Sequence, residues 1–349
     1  MFLAIRELLH AKFRYLLIGF IIVLISGLIF IISGLAKGLS ADNASAIQNL
    51  QADYLVLEEG VEQQLTKSSI SGSAADQIAE TEGVTEAVPL SIRMAAAAVN
   101  DKDQKADVAL FGTDMNGTLL PNVTEGNPPA KSNEVVVDAS LKKEGLRIGD
   151  ALSFAGNDKE YTIVGFAENQ RFSHTSVVYM NGSTDKVNAF AIQTNGEISD
   201  ELSKKYDVLT KEEVLQGIPS YSQEQASLNM MIIFLYVIAA FVLAVFFYVM
   251  TLQKKSQFGV LKALGSNTSY LIRNLVSQVA VISIVCILIA VGLSFGVKEL
   301  LPPDMPFILE SQNMLQSAVL LLAVSVVGSL LSLVQVVNVD PIEAIEGAE

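Results

Sequence analysis

The sequence predicts an α-helical membrane protein with four transmembrane helices and a large extracytoplasmic α+β domain inserted between the first and the second. Three observations carry that prediction. Four charge-poor stretches are long enough to cross a hydrocarbon core about 30 Å thick, which takes roughly 20 residues of helix: Leu16–Leu35, Ala226–Leu252, Asn274–Val297 and Ser311–Val339. The acidic charge is gathered between the first two of them. Of 37 Asp and Glu and 23 Lys and Arg in 349 residues, 29 acids and 14 bases fall in Asp42–Glu224, so the net charge of −14 belongs essentially to one polar block. Lys and Arg at the ends of the four stretches are distributed unevenly, as the positive-inside rule requires. The resulting divisions are residues 1–39 (N-terminal cytoplasmic segment and first span), 40–225 (extracytoplasmic domain) and 226–349 (three spans, a cytoplasmic coupling loop at 253–272 and a cytoplasmic C-terminal tail).

Arg6, Lys12 and Arg14 precede the first span, and basic residues are retained on the cytoplasmic side. With that end inside, the connection between the second and third spans is also inside, and it carries Lys254, Lys255, Lys262 and Arg273. Only Lys37 and Lys298 flank the spans outside, seven basic residues against two. The chain is thus placed in the cell membrane, in contact with lipid, with both termini cytoplasmic. A cleaved signal peptide is the rival reading of residues 1–36, since Gly34-Leu35-Ala36 resembles a small-residue cleavage site. An apolar stretch of 20 residues exceeds the usual signal core and favours an uncleaved anchor. Small residues recur in the first span at heptad spacing, Gly19, Ser26 and Ser33, beside Gly27 and Gly34. They admit another helix at close range, either within the chain or across a homodimer seam.

In the inserted domain Asp53–Glu58 and Glu134–Asp138 read as strands, the second from its β-branched Val135-Val136-Val137. Tyr161–Phe166 and Thr175–Met180 are further strands. Ser73–Glu80 and Asp200–Lys205 read as helices, Ser140–Glu144 as a short helical segment ended by Gly145, Gly149-Asp150 as a turn and Asn127-Pro128-Pro129 as a loop. The alternation fits burial on one face. No G-x-S-x-G elbow or H-E-x-x-H helix is present, and His174 has no evident catalytic partner in sequence. Cys286 is the single cysteine and His10 lies far from His174, which excludes a disulfide framework and gives no intrinsic metal site or cofactor.

In the C-terminal part, Gln253–Leu264 reads as a short helix with Phe258, Leu261 and Leu264 on one side, stopped by Gly265. Ser266 or Asn267 then caps the third span. This helix is either a docking element for a partner or a basic connector lying on lipid headgroups. No Asp, Glu, Lys, Arg or His occupies the central part of any span, whereas ion- and proton-coupled transporters place ionisable groups near the midplane. The chain also lacks a G-x-x-x-x-G-K-[ST] phosphate loop and is not its own ATPase. It is not an enzyme by itself, and its acidic balance argues against nucleic-acid binding.

Three local sequences carry a family resemblance. Gln257-Phe258-Gly259-Val260-Leu261-Lys262-Ala263-Leu264-Gly265 resembles an E-I-G-[IV]-[LR]-[KR]-A-[IL]-G loop, with Gln257 in place of Glu. Val339-Asp340-Pro341-Ile342-Glu343-Ala344-Ile345 resembles a D-P-x-E-A-[IL] motif, with Glu346 where Arg is common. Asn133–Ser140, Gly145-Leu146-Arg147-Ile148-Gly149-Asp150 and Tyr161–Gly165 follow the core of a periplasmic domain. These are motifs of the MacB/FtsX-like (type VII) permeases of ATP-binding cassette (ABC) transporters. Within them, Leu3-Ala4-Ile5-Arg6-Glu7, Ser220-Tyr221, Glu224-Gln225, Leu228-Asn229-Met230-Met231 and Gly347-Ala348-Glu349 are most similar to the HrtB-type haem exporter permeases.

The resemblance implies a homodimer working with two copies of a separate ATPase subunit. ATP-driven closure of that pair would be relayed to the external domain, with Phe258, Gly259, Leu261, Lys262, Leu264 and Gly265 in the coupling element. It implies efflux of haem, or of another amphipathic toxic compound, from the outer leaflet. Haem iron takes His, Met, Tyr or Cys ligands, so the implied substrate contacts are Tyr221, Glu224, Met230, Met231, Tyr54, Glu58, Glu59 and His174, with Tyr221, Met230 or His174 as the iron ligand. Tyr221 and Glu224 share a face if their segment is helical. The bland alternatives are a packing role for the methionines, an interfacial anchor for Tyr221 and a surface position on a strand for His174. A different function within the family is a non-transporting transmitter that regulates an external partner such as a cell-wall hydrolase; a receptor lacking any ATPase is disfavoured by the 258–265 loop.

Overall fold

The computed structural model describes residues 12–99, 105–155, 157–182, 185–196, 198–302 and 305–337. Arg6, the start at 3–7, the 339–345 motif and the ending at 347–349 lie outside the described residues. Helix α1 (Lys12–Gln48) is 37 residues long, about 55 Å at 1.5 Å per residue. It therefore outruns Leu16–Leu35, and its last turns, Ala44, Ala46 and Ile47, are fully buried in the core of the inserted domain.

The domain continues through β1 (Tyr54–Glu58), β2 (Ile70–Ser71), α2 (Ala75–Ala79), β3 (Val84–Val99), β4 (Lys105–Thr113), β5 (Val123–Gly126), β6 (Glu134–Asp138), β7 (Ala151–Phe154) and β8 (Asn157–Ala167). It is completed by β9 (Arg171–Phe172), β10 (Thr175–Asn181), β11 (Lys186–Val187), β12 (Ala189–Thr194), α3 (Asp200–Ser203), β13 (Tyr206–Thr210) and α4 (Lys211–Gln216). The predicted Ser73–Glu80 helix opens as a 3-10 turn before α2, and Ser140–Glu144 is a 3-10 segment that stops at Gly145, whose φ of +91° suits glycine. The domain is dominated by strands. The main sheet runs β13-β1-β12-β3-β4-β10-β6-β8-β5, and β7 pairs with both β8 and β3, so β3, β4, β10, β6, β8 and β7 close a ring. β10 is parallel to β4, and β6 to β8.

Burial on one face alone is overturned. Val108, Leu110, Val135, Val137 and Val178 alternate onto one face of the ring and are buried with Leu152, Phe154 and Ile163. Their neighbours Ala109, Phe111, Val136, Val177 and Tyr179 point the other way and are buried too, because the end of α1 and Tyr221 cover that face. A strand buried on both sides needs an unbroken apolar run, which is what Val135-Val136-Val137 is.

Among the described residues four helices are long and apolar enough to cross a membrane: α1, α5 (Tyr221–Gln253), α7 (Thr268–Leu300) and α8 (Ser311–Val337), with α6 (Lys255–Ala263) between the second and third. Among the described residues, those up to Gly38 and from Ser227 onward form one compact unit, and those of Leu39–Ala226 the other. In the helical unit Ile18 and Ile22 of α1 meet Leu243 and Phe247 of α5 and Val279 and Ile282 of α7. A second cluster joins Ile29 and Phe30 to Ile287, Ala290, Met314 and Leu321.

The small residues of α1 serve mainly this intrachain packing. A Cβ on Gly19 would lie 3.2 Å from Cys286 Sγ, one on Gly34 would lie 2.8 Å from Phe307, and Ser26 is buried. Gly27 has nothing within 4 Å, and Ser33 is half-buried. Outward faces are apolar: Leu16, Leu17, Phe20, Leu24 and Leu28 on α1, and Ile233, Phe234, Val237, Phe241 and Val245 on α5.

Gly38 supplies a sharp test of the packing, since a Cβ there would lie 2.1 Å from the Pro306 carbonyl oxygen. Gly38→Ala is expected to cost about 1–3 kcal/mol through backbone displacement, while Gly27→Ala costs nothing and gains up to about 1 kcal/mol of helix propensity. Thermal-shift midpoints of the detergent-purified chain separate the two, and equal midpoints would contradict the packing described.

Candidate functional site

A polar network sits where the end of α1, the β9–β10 hairpin and the head of α5 meet within the inserted domain. Phe172 pairs with Thr175, leaving Ser173 and His174 as a two-residue loop with φ of +49° and +61°. Two positive φ values belong to the turn that normally takes Asn-Gly, so Ser-His is a strained choice that aims the imidazole inward. His174 Nδ1 lies 2.7 Å from Asp42 Oδ2, and Nε2 lies 3.1 Å from Glu224 Oε1. Asp42 Oδ1 accepts from Arg171 Nε at 3.0 Å and pairs with Nη2 at 3.0 Å. Arg171 also donates to Ser140 Oγ, Ser176 Oγ and the His174 carbonyl. Asn43 donates to Glu224 Oε2 at 3.2 Å, and the Ser173 amide donates to the Asn43 carbonyl at 2.7 Å. Burial pushes the His174 pKa down, but hydrogen bonds and attraction from Asp42 and Glu224 outweigh it, and the net displacement is above the ordinary 6.5.

Of the substrate contacts implied by the sequence, the fold brings His174 and Glu224 together, with Tyr221 close by in the same turn of α5. Tyr221 is buried and its hydroxyl is 3.0 Å from Ser40 Oγ. His174 is not on a strand surface but at a hairpin tip, with both ring nitrogens engaged. Tyr54 packs on a different apolar cluster, around Val56, Ile78 and Phe190. Glu58 accepts from the Ser69 amide, and Glu59 is exposed. Met230 and Met231 belong to the helical unit and are 56% and 47% exposed. Asp42, Asn43 and Arg171 were not anticipated. The only signal for Asp42 and Asn43 in the sequence is polarity following an apolar stretch, and their side-chain partners Arg171, His174 and Glu224 are more than 100 positions away in the chain.

Each unit holds a concavity of its own. One in the inserted domain, about 700 Å³, is lined by Gln48, Asn49, Asn122, Gln170, Gln193 and Lys211. Lys211 Nζ there caps the Leu50 carbonyl beyond the end of α1. The other, about 630 Å³ and apolar, lies between α1 and α7 in the helical unit and includes Phe20, Val23, Val285, Cys286 and Ile289.

The 253–272 connection has the predicted helix, stop and cap, but its side chains face differently from the prediction. Lys254 is not a surface cation: it is 6% exposed, and its Nζ lies 3.0 Å from the Tyr15 hydroxyl and 3.1 Å from Gln278 Oε1. It breaks the helix between α5 and α6 at φ −98° and ψ 4°. Phe258 turns inward against Leu271 and Leu275, with Gly259 buried and Leu261 and Lys262 half-buried. Gln257, Val260, Leu264 and Gly265 face outward, Leu264 at 78% exposure. Gly265 ends the segment at φ +91°, and Asn267 caps α7 by accepting from the Ser269 amide.

Comparison with known proteins gives a consistent result. The FtsX-like permease C-terminal family matches residues 229–341. A Staphylococcus epidermidis (strain ATCC 12228 / FDA PCI 1200) protein provisionally named hemin transport system permease protein HrtB is 33% identical over 99% of each chain. Its namesake from Staphylococcus haemolyticus (strain JCSC1435) is 35% identical over 99% of each. Among solved structures, the periplasmic region of MacB from Actinobacillus actinomycetemcomitans covers 49% of this chain and 94% of its own, at 12% identity and a TM-score of 0.37.

Arg171→Met removes the donors held by Asp42, Ser140 and Ser176. With both partners about one quarter exposed, the expected cost is about 1–2 kcal/mol, read as a lower unfolding midpoint of the full chain. An unchanged midpoint would remove this network from the account of stability.

Proposed function

The chain belongs to the FtsX-like permeases of ABC transporters, and from that membership we propose that it is the membrane subunit of an ATP-driven exporter of haem or a similar amphipathic compound. Full-length identity to relatives named for hemin transport is the observation that supports this reading. Hydrolysis would come from two copies of a separate ATPase docked on a homodimer of the permease, with the termini and α6 cytoplasmic and residues 40–225 outside. The exposed apolar faces of α1 and α5 suit lipid or a second copy, and the apolar groove between α1 and α7 is of a size that takes a small ligand. Among the implied iron ligands, Met230 is an exposed residue, whereas the donor atoms of Tyr221 and His174 are already hydrogen-bonded.

The coupling surface in this proposal is the outward face of α6, with Val260, Leu264 and Gly265 meeting the ATPase. Phe258 acts from within, holding α6 on α7. Replacing Phe258 by Ala is expected to cost about 3–5 kcal/mol of stability, whereas Leu264→Asp leaves the unfolding midpoint unchanged. A charge on an apolar contact is costly to desolvate, and Leu264→Asp is expected to cut substrate-stimulated ATPase activity about tenfold, a loss of about 1.4 kcal/mol in coupling. Full stimulation in that variant would move the docking site elsewhere.

The functional reading itself is tested in proteoliposomes holding the permease and its ATPase. Haem is expected to stimulate hydrolysis and to be moved only when ATP is supplied. Absence of both, with hydrolysis stimulated by another amphipathic compound, would keep the exporter and discard haem.

A further inference from the structure

We infer that His174, as the imidazolium, is the positioning residue that clasps the head of α5 to the end of α1, and that losing its proton releases Glu224 while Asp42 stays held. The inference concerns the chain's own groups and does not depend on what is transported.

The chemistry follows from donor counting. Carboxylate oxygens only accept, and a neutral imidazole has one N–H and one lone pair. Both ring nitrogens of His174 face carboxylate oxygens, at 2.7 Å and 3.1 Å, so both contacts form only when both nitrogens carry hydrogen. Among the described residues the charged groups facing the ring are Asp42 from α1, Glu224 from α5 and Arg171 from its own hairpin. With the imidazolium these four charges balance. Without the proton the set carries one net negative charge, and a lone pair opposes one of the carboxylates.

Geometry decides which contact fails. Asp42 has the shorter bond to the ring, and its other oxygen is held by two nitrogens of Arg171, itself fixed by Ser140, Ser176 and the His174 carbonyl. The remaining proton therefore stays on Nδ1. Glu224 keeps Asn43 and Ser220, neither of them charged, and loses the ring, so the loosening falls on the first turn of α5. Strain at the Ser173-His174 loop, with φ of +49° and +61°, is the cost of aiming the ring at both helices. Because the His174 pKa is raised on folding, the clasp is fully present below the ordinary histidine pKa and is lost as pH rises through the folded value.

The test uses the full chain bound to its ATPase in lipid nanodiscs. With His10→Gln, a single histidine remains in the permease, and with 15N label confined to that chain ring spectra are expected to show two N–H groups at pH 6 and a titration midpoint above 6.5. Amide hydrogen exchange at residues 224–228, compared at each pH between the native chain and His174→Gln, is expected to show about tenfold greater protection in the native chain at pH 6. That ratio should decay to one above the ring's titration. Glu224→Gln, whose amide oxygen accepts from the ring without the charge, is expected to flatten the pH dependence and keeps the test decisive if His174→Gln fails to fold. A ring that titrates at or below 6.5, a single N–H at pH 6, or a protection ratio independent of pH would overturn the inference.

Discussion

The ion pair between Asp42 and Arg171 organises the base of the inserted domain. One guanidinium holds a carboxylate at the end of α1, two hydroxyls on the ring of strands and the backbone of its own hairpin loop. Those bonds hold the loop, and the loop carries the imidazole that reaches α5. The energy of the junction comes from elsewhere, since an ion pair about one quarter exposed contributes little by itself. Burial of Ala44, Ile47, Leu50, Phe111, Tyr179 and Tyr221 in one cluster supplies the larger share. The polar groups specify register: they determine which turn of α1 meets which turn of α5.

The length of α1 and α5 gives that register its consequence. Each helix exceeds 30 residues, so each has more length than a bilayer core requires. The surplus is polar at its surface and built into a sheet domain. In the proposed mechanism a separate ATPase moves α6, and the two long helices deliver the displacement to the inserted domain. Lys254, buried against Tyr15 and Gln278, ties the start of α6 to α1 and α7. No ionisable group in the middle of a helix is needed for such a relay.

The four apolar helices and the position of the inserted domain were legible because charge and hydropathy separate along the chain. Their ends were not, since helix continues past Lys37 and Asp42 once a folded domain supplies partners for polar side chains. The ring of strands was hidden for a related reason: β10 pairs in parallel with β4, and partners such as Tyr179 and Phe111 lie far apart in sequence. His174 read as one of three candidate iron ligands, because imidazole binds iron, or as a surface residue on a strand. Its partners, Asp42 and Glu224, are 132 and 50 positions away, and its loop departs from the Asn-Gly pattern that would have marked a tight hairpin. Phe258 and Leu264 read as one apolar side of a helix, yet the first packs inward and the second faces out, because Leu271 and Leu275 present an apolar surface to only part of that side.

In the proposed relay, ATP turnover on another chain changes the relation between the end of α1 and the head of α5. Spin labels at the exposed positions of Asn49 and Gln223, in a Cys286→Ser background, report that distance in the permease–ATPase complex. Two populations are expected, with weights that exchange between the nucleotide-free and ATP-trapped states. A single distance distribution, identical in both states while hydrolysis proceeds, would contradict the account.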